Sequence, residues 1–193
     1  MPATNPENRI LTLPNVLTML RMAAIPGVAW VYHTQSLPNY EIWTTVIFGL
    51  AFITDQLDGW LARKMNCLTQ FGKLMDPLAD KLLVITGLML LVEKSMVPLW
   101  IALALVVREV AINSLRSFAL QLGIVLSSSM MARTKSYFEG FAIGLAFLGP
   151  SFHWLGMPWN AMANLCFYIS LILAYTSAYT YVVKVFGTPK ASL

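Results

Sequence analysis

Charge is what this sequence has least of. Only 11% of its 193 residues are charged, 13 Lys and Arg against 9 Asp and Glu, where a soluble domain of this size carries about a quarter. That excludes an ordinary water-soluble globule, and no nucleic-acid partner is expected. Cysteine is scarce as well. Cys67 and Cys166 stand far apart and match no metal or redox spacing, so both read as free thiols and no disulfide is expected. The first residues, MPATNPENRILTLPN, lack the basic stretch, apolar run and small-residue cleavage site of a secretory leader, so none is expected. Internal repeats and low-complexity segments are missing too.

What is abundant is apolar: 58% of residues are hydrophobic, with a mean hydropathy of +0.66. Six stretches approach the roughly 20 residues that cross a bilayer, at about 15–33, 42–62, 77–93, 97–118, 137–155 and 160–184. They predict an all-α, polytopic membrane protein with six transmembrane helices in a single domain, 1–193. Pro14 and Pro38 bracket the first stretch. Pro77 and Pro98 fall in the first turns of the third and fourth, where a missing N–H costs little. With the N-terminus in the cytoplasm, the outer loops around 34–41, 94–96 and 153–159 hold only Lys94 of all the Lys and Arg, a strong positive-inside bias. Both termini then face the cytoplasm. Trp30, Tyr32, Trp43, Trp100, Trp154 and Trp159 read as an aromatic belt, and His33 and His153 as interfacial residues without chemistry.

Against this apolar background, residues 55–80 stand out: DQLDGWLARKMNCLTQFGKLMDPLAD. Asp55 and Asp58 are spaced i, i+3, and Asp76 and Asp80 i, i+4, so each pair shares one face of its own helix. Two neighbouring helices bring four carboxylates together, and these repel unless cations lie between them. Hard oxygen ligands suit Mg²⁺ or Mn²⁺. At 1.5 Å per residue, Asp55 lies about 21 Å in from Glu41 and Asp80 about 20 Å in from Glu93, the same depth. Arg21 and Arg108 reach a similar layer. Buried charge this deep is costly and marks function, in a water-filled cavity open to the cytoplasm.

The residues around the aspartates extend the pattern. Gly59 and Ala62 are small, and either allow close helix packing or let a flat ligand approach. Arg63 is a natural partner for a diphosphate, and Gly72 marks the turn into the third helix. Asn15, Thr18 and Arg21 recur every third residue and form a polar strip on the first helix. Arg108 and Arg116 lie near one face of the fourth, and Arg133 and Lys135 follow in the next polar segment.

Asp55, Asp58, Gly59, Ala62, Arg63, Gly72, Asp76 and Asp80 together match the signature of the CDP-alcohol phosphotransferase family, which the chain resembles over about residues 10–185. The resemblance implies a six-helix membrane enzyme, commonly a homodimer, in the bacterial inner membrane among its lipids. It implies two divalent metals, Mg²⁺ or Mn²⁺, held by Asp55, Asp58, Asp76 and Asp80, with Asp80 also the general base. Asn15, Thr18, Gly59, Ala62, Arg63 and Gly72 are then expected at a CDP-linked lipid such as CDP-diacylglycerol. Arg108, Arg116, Arg133 and Lys135 supply more positive charge than a neutral alcohol needs, so a phosphorylated acceptor is expected. The Arg-Glu pair and the later Leu-Arg most resemble the branch of the family that uses glycerol 3-phosphate. There the segment at 132–136 departs from the usual glycine and second lysine, and Glu139 stands where glutamine is expected. Cardiolipin synthases and enzymes that transfer to inositol phosphate are the alternatives within the family. A prenyl-diphosphate enzyme and a cation transporter with an acidic intramembrane site are the alternatives outside it. The transporter would show ion flux and no CMP release.

Overall fold

The structure is a computed structural model that describes residues 12–64, 70–121, 123, 130–149 and 159–186. The described residues include six helices: α1 Leu13–Thr34, α2 Tyr40–Lys64, α3 Gln70–Glu93, α4 Leu99–Gln121, α5 Met130–Leu148 and α6 Trp159–Phe186. The fold class and the number of helices agree with the sequence reading. Round the bundle the order is α1, α2, α5, α6, α4, α3 and back to α1, and α3 also touches α2 and α5.

Local chemistry sets most of the helix ends. Thr12 is the N-cap of α1, with Pro14 in the first turn. Asn15 is a buried residue within the helix. Gln35 closes α1 in the left-handed region at φ 53°, its N–H on the Val31 carbonyl at 3.2 Å. Ser95 at φ 56° does the same after α3, where the Met96 N–H reaches the Leu91 carbonyl at 2.9 Å. Pro98 precedes α4, and its carbonyl accepts the Ile101 N–H at 3.0 Å.

Two starts differ from expectation. α3 begins at Gln70, so Pro77 lies inside the helix and Gly72 near its start rather than in a turn. α5 begins at Met130, not 137, so Arg133 and Lys135 are helical. It also ends at Leu148, where Gly149 donates to the Leu145 carbonyl at 3.0 Å. Pro150 follows in the sequence and cannot continue the ladder. The inner turns of both helices are polar in sequence, which resembles loop, yet the Lys135 side chain is buried.

Every helix turns large apolar side chains outward, among them Leu20, Leu50, Leu82, Val107, Phe141 and Ile172. A surface apolar on all sides suits lipid and not water. By length and composition α6 is the helix among the described residues apolar enough to cross a membrane. The others carry the charged residues of the inner layer described below. Exposed Trp30, Trp43 and Trp100 fit the expected belt, whereas Tyr32 is buried in the core against Phe147. Lipid tails are as apolar as leucine, so packing between helices depends on close fit. Phe147 provides it at the outer half, edge-on to Tyr32 at 4.7 Å and to Phe48 at 5.7 Å. Gly87 lets α3 approach there, since a Cβ would lie 2.8 Å from Ile143 Cγ2 and 3.1 Å from Phe48 Cε2.

Candidate active site

At the inner half of the bundle the apolar core gives way to a layer of charge carried by α1 to α5, with polar partners from α6. Its first part joins α1, α2 and α3. The Arg21 side chain is fully buried, and its Nη1 lies 2.7 Å from Asp55 Oδ1 and 3.2 Å from Asp76 Oδ1. Its Nε donates to the Ala51 carbonyl at 3.1 Å. Thr18 Oγ1, one turn away, lies 3.4 Å from Asp76 Oδ1. Asn15, Thr18 and Arg21 are all buried, so the polar strip of α1 faces the acidic faces of α2 and α3, as the three-residue spacing implies. One guanidinium thus links carboxylates from two different helices.

The second part joins α4, α5 and α6. Arg108 is anchored on α6, Nε to the Ala174 carbonyl at 2.9 Å and Nη2 to Ser177 Oγ at 2.6 Å. Its Nη1 lies 3.0 Å from Glu109 Oε2. The same carboxylate oxygen takes Lys135 Nζ at 3.0 Å, and Lys135 also pairs with Glu139 one turn on. Ser170 Oγ on α6 is 3.4 Å from the Lys135 carbonyl. Arg116 donates from Nη2 to the Tyr181 hydroxyl at 2.8 Å.

Asp80 connects the two parts. Arg21, Asp76, Glu109 and Lys135 all lie within its electrostatic reach. It lines a cavity of about 30 Å³ with Lys81, Glu109, Lys135, Ser136 and Glu139, room for a water molecule or two. Phe52 lines both that cavity and a larger apolar groove of about 510 Å³ between α2 and α5.

Asp55, Asp76 and Asp80 therefore share one layer with Asn15, Thr18, Arg108 and Lys135. Gly72 lies one turn before Asp76, near the start of α3. The side chains of Asp58, Gly59, Ala62, Arg63 and Arg133 lie outside the described residues, as do Cys67, His153 and Trp154. Cys166 is a free thiol. His33 pairs with Glu93 at 2.9 Å, both exposed, at the far end of the bundle from this layer. Among the described residues no three acidic, His or Cys side chains gather tightly enough to hold a metal ion by themselves. The donor chemistry nonetheless fits a hard cation, since Asp55 and Asp76 already converge on one positive group.

Sequence reasoning gave Arg21 too little weight and missed Ser177, Tyr181 and the pairing of Glu109 and Glu139 with Lys135. Arg21 was legible as the third member of its strip. Glu139 was legible as an acid one helical turn from Lys135. The α6 residues carried no signal, because serine and tyrosine are ordinary in such a helix.

A helical membrane bundle with carboxylates and cations converging at one depth is the frame of an enzyme that handles a charged group next to lipid. The chain belongs to the CDP-alcohol phosphatidyltransferase family, whose description matches residues 11–182. It is an enzyme of the transferase class, and the family is generally dependent on a divalent metal. A CDP-diacylglycerol–glycerol-3-phosphate 3-phosphatidyltransferase of Rickettsia bellii is 39% identical over 137 residues, 71% of this chain and 75% of the relative. The protein of that name in Bacillus subtilis is 30% identical over 195 residues, 95% of this chain and all of the relative. A CMP-forming cardiolipin synthase of Streptomyces coelicolor is 36% identical over 104 residues, 53% of this chain and 48% of the relative.

Proposed function

We propose that this chain, as one membrane-embedded domain, transfers the phosphatidyl group of CDP-diacylglycerol to sn-glycerol 3-phosphate and releases CMP. The observation that carries the reading is the single charged layer in which Arg21 links Asp55 to Asp76 while Asp80 lines a small cavity together with Lys135 and Glu109. The names of the Rickettsia and Bacillus relatives support the same donor and acceptor.

Asp55, Asp58, Asp76 and Asp80 would hold two divalent cations, Mg²⁺ or Mn²⁺. Held by these carboxylates, such cations would supply charge neutralisation for the diphosphate and for the departing CMP. Arg63, Gly59, Ala62, Gly72, Asn15 and Thr18 border the CDP group. Arg21 fixes Asp55 and Asp76 at a constant separation, so the acidic faces of α2 and α3 are set before substrate arrives. Asp80 takes the proton from the acceptor hydroxyl. That oxygen forms a bond to the phosphatidyl phosphorus as the bond to CMP breaks, and CMP leaves with the electron pair. Arg108, Arg116, Arg133 and Lys135 form the basic side that meets the acceptor phosphate. The site and both termini face the cytoplasm of a bacterial inner membrane, and the enzyme works as a homodimer.

A second reading has an observation in its favour. Glu109 and Glu139 offset much of the charge of Arg108 and Lys135, which suits a singly charged lipid acceptor such as phosphatidylglycerol. The test is CMP release from CDP-diacylglycerol with Mg²⁺ and each acceptor in turn. Turnover should require glycerol 3-phosphate. Preference for phosphatidylglycerol would replace the proposal with cardiolipin synthesis, and no CMP with any acceptor would overturn both.

A further inference from the structure

α6 carries a rack for the two arginines of α4. Residues 174, 177 and 181 recur at i, i+3 and i+7, one stripe of a helix. Ala174 and Ser177 hold Arg108, and Tyr181 holds Arg116. The two arginines are held differently. Arg108 uses Nε and both terminal nitrogens, one of them on the Glu109 carboxylate, so its charge is offset within the protein. Arg116 is held by a neutral group: the Tyr181 hydroxyl takes Nη2 at 2.8 Å, and the phenol ring lies beneath the guanidinium, 4.9 Å from its carbon. Tyr181 is itself buried. Arg116 makes no ion pair among the described residues, and its Nε is buried with no hydrogen-bond partner among them. Buried N–H donors without an acceptor are rare in native proteins.

We propose that Tyr181 is a positioning residue for the acceptor, holding the Arg116 guanidinium by hydroxyl and ring without neutralising it, so that its remaining donors meet the phosphate of the phosphorylated alcohol. This rests on the acceptor reading above. A carboxylate in place of the phenol would fix the arginine equally well and cancel the charge that the phosphate needs. A neutral aromatic partner fixes the fork and leaves the charge for the ligand.

The experiment uses the full-length enzyme in mixed micelles with CDP-diacylglycerol. Tyr181→Phe keeps the ring and removes the hydroxyl. It should raise the KM for glycerol 3-phosphate about threefold to tenfold, the loss of one hydrogen bond of ordinary net strength. The KM for CDP-diacylglycerol and kcat should stay within about twofold. Tyr181→Leu, which removes the ring as well, should approach the larger KM of Arg116→Ala. Adding Tyr181→Phe to Arg116→Ala should change nothing further, because the held group is gone. An unchanged glycerol 3-phosphate KM in Tyr181→Phe overturns the proposal. So does an equal increase in the Arg116→Ala background, or a joint fall in kcat and affinity for both substrates. If the wild type rejects glycerol 3-phosphate but uses another anionic acceptor, the acceptor reading fails by itself, and the same KM comparison on that acceptor decides the role of Tyr181.

Discussion

Arg21→Ala removes the only positive group that reaches Asp55 and Asp76 together among the described residues. The guanidinium it deletes is fully buried and holds three acceptors: Asp55 at 2.7 Å, Asp76 at 3.2 Å and the Ala51 carbonyl at 3.1 Å. Breaking a buried ion pair from one side costs about 3–5 kcal/mol, because the remaining charge stays desolvated. The two carboxylates differ here. The Asp55 side chain is 15% exposed and carries most of the loss, whereas that of Asp76 is 36% exposed and partly served by water. The low end of the range, about 3 kcal/mol, is therefore expected. For a chain of this length that corresponds to a fall in Tm of about 6–12 °C. Thermal melting of the detergent-solubilised protein measures it. Arg21→Lys should recover part of the loss, since it restores the charge but cannot reach all three acceptors at once. Added Mg²⁺ should recover more in Arg21→Ala than in wild type, because a cation that binds the folded carboxylates stabilises by mass action. A Tm within about 2 °C of wild type in metal-free buffer would refute the reasoning, since the carboxylates would then need no counter-charge.

Three further outcomes are expected. Asp58→Asn should abolish CMP release and weaken metal-dependent binding of CDP-diacylglycerol, whereas Asp80→Asn should abolish release and spare much of that binding; equal loss of binding in both means the roles are divided wrongly. Gly87→Ala drives a methyl into Ile143 and Phe48 and should cost about 1–3 kcal/mol of stability, read as a lower Tm, with an unchanged Tm showing that α3 can move away. Cysteine probes at Gln35 and Gly156 should react from outside intact cells and one at Ala191 should not, and the reverse labelling would overturn the orientation.

The carboxylate pairs and the strip on α1 were legible because helical spacing alone decides which residues share a face, and in lipid a polar face must point inward. Asp55, Asp76, Thr18 and Arg21 meet for that reason. The helix starts at Gln70 and Met130 were not legible. The inner turns of α3 and α5 are polar enough to look like loop, and only the tertiary contacts reveal that Lys135 is buried between Glu109 and Glu139.

The basic side of the site shows the limit of counting charges along a chain. Arg108 and Lys135 were expected to meet a phosphate, and both lie in the right layer, but each already has a carboxylate. A ligand phosphate must compete with Glu109 for Arg108 and with two glutamates for Lys135, and each exchange trades one charged partner for another with little net gain. Arg116 has no such competitor among the described residues, only a phenol. Under the proposed function, recognition of the acceptor phosphate would therefore depend most on the arginine with the neutral partner. The charged network ties α4, α5 and α6 together beside the cavity that Asp80 lines.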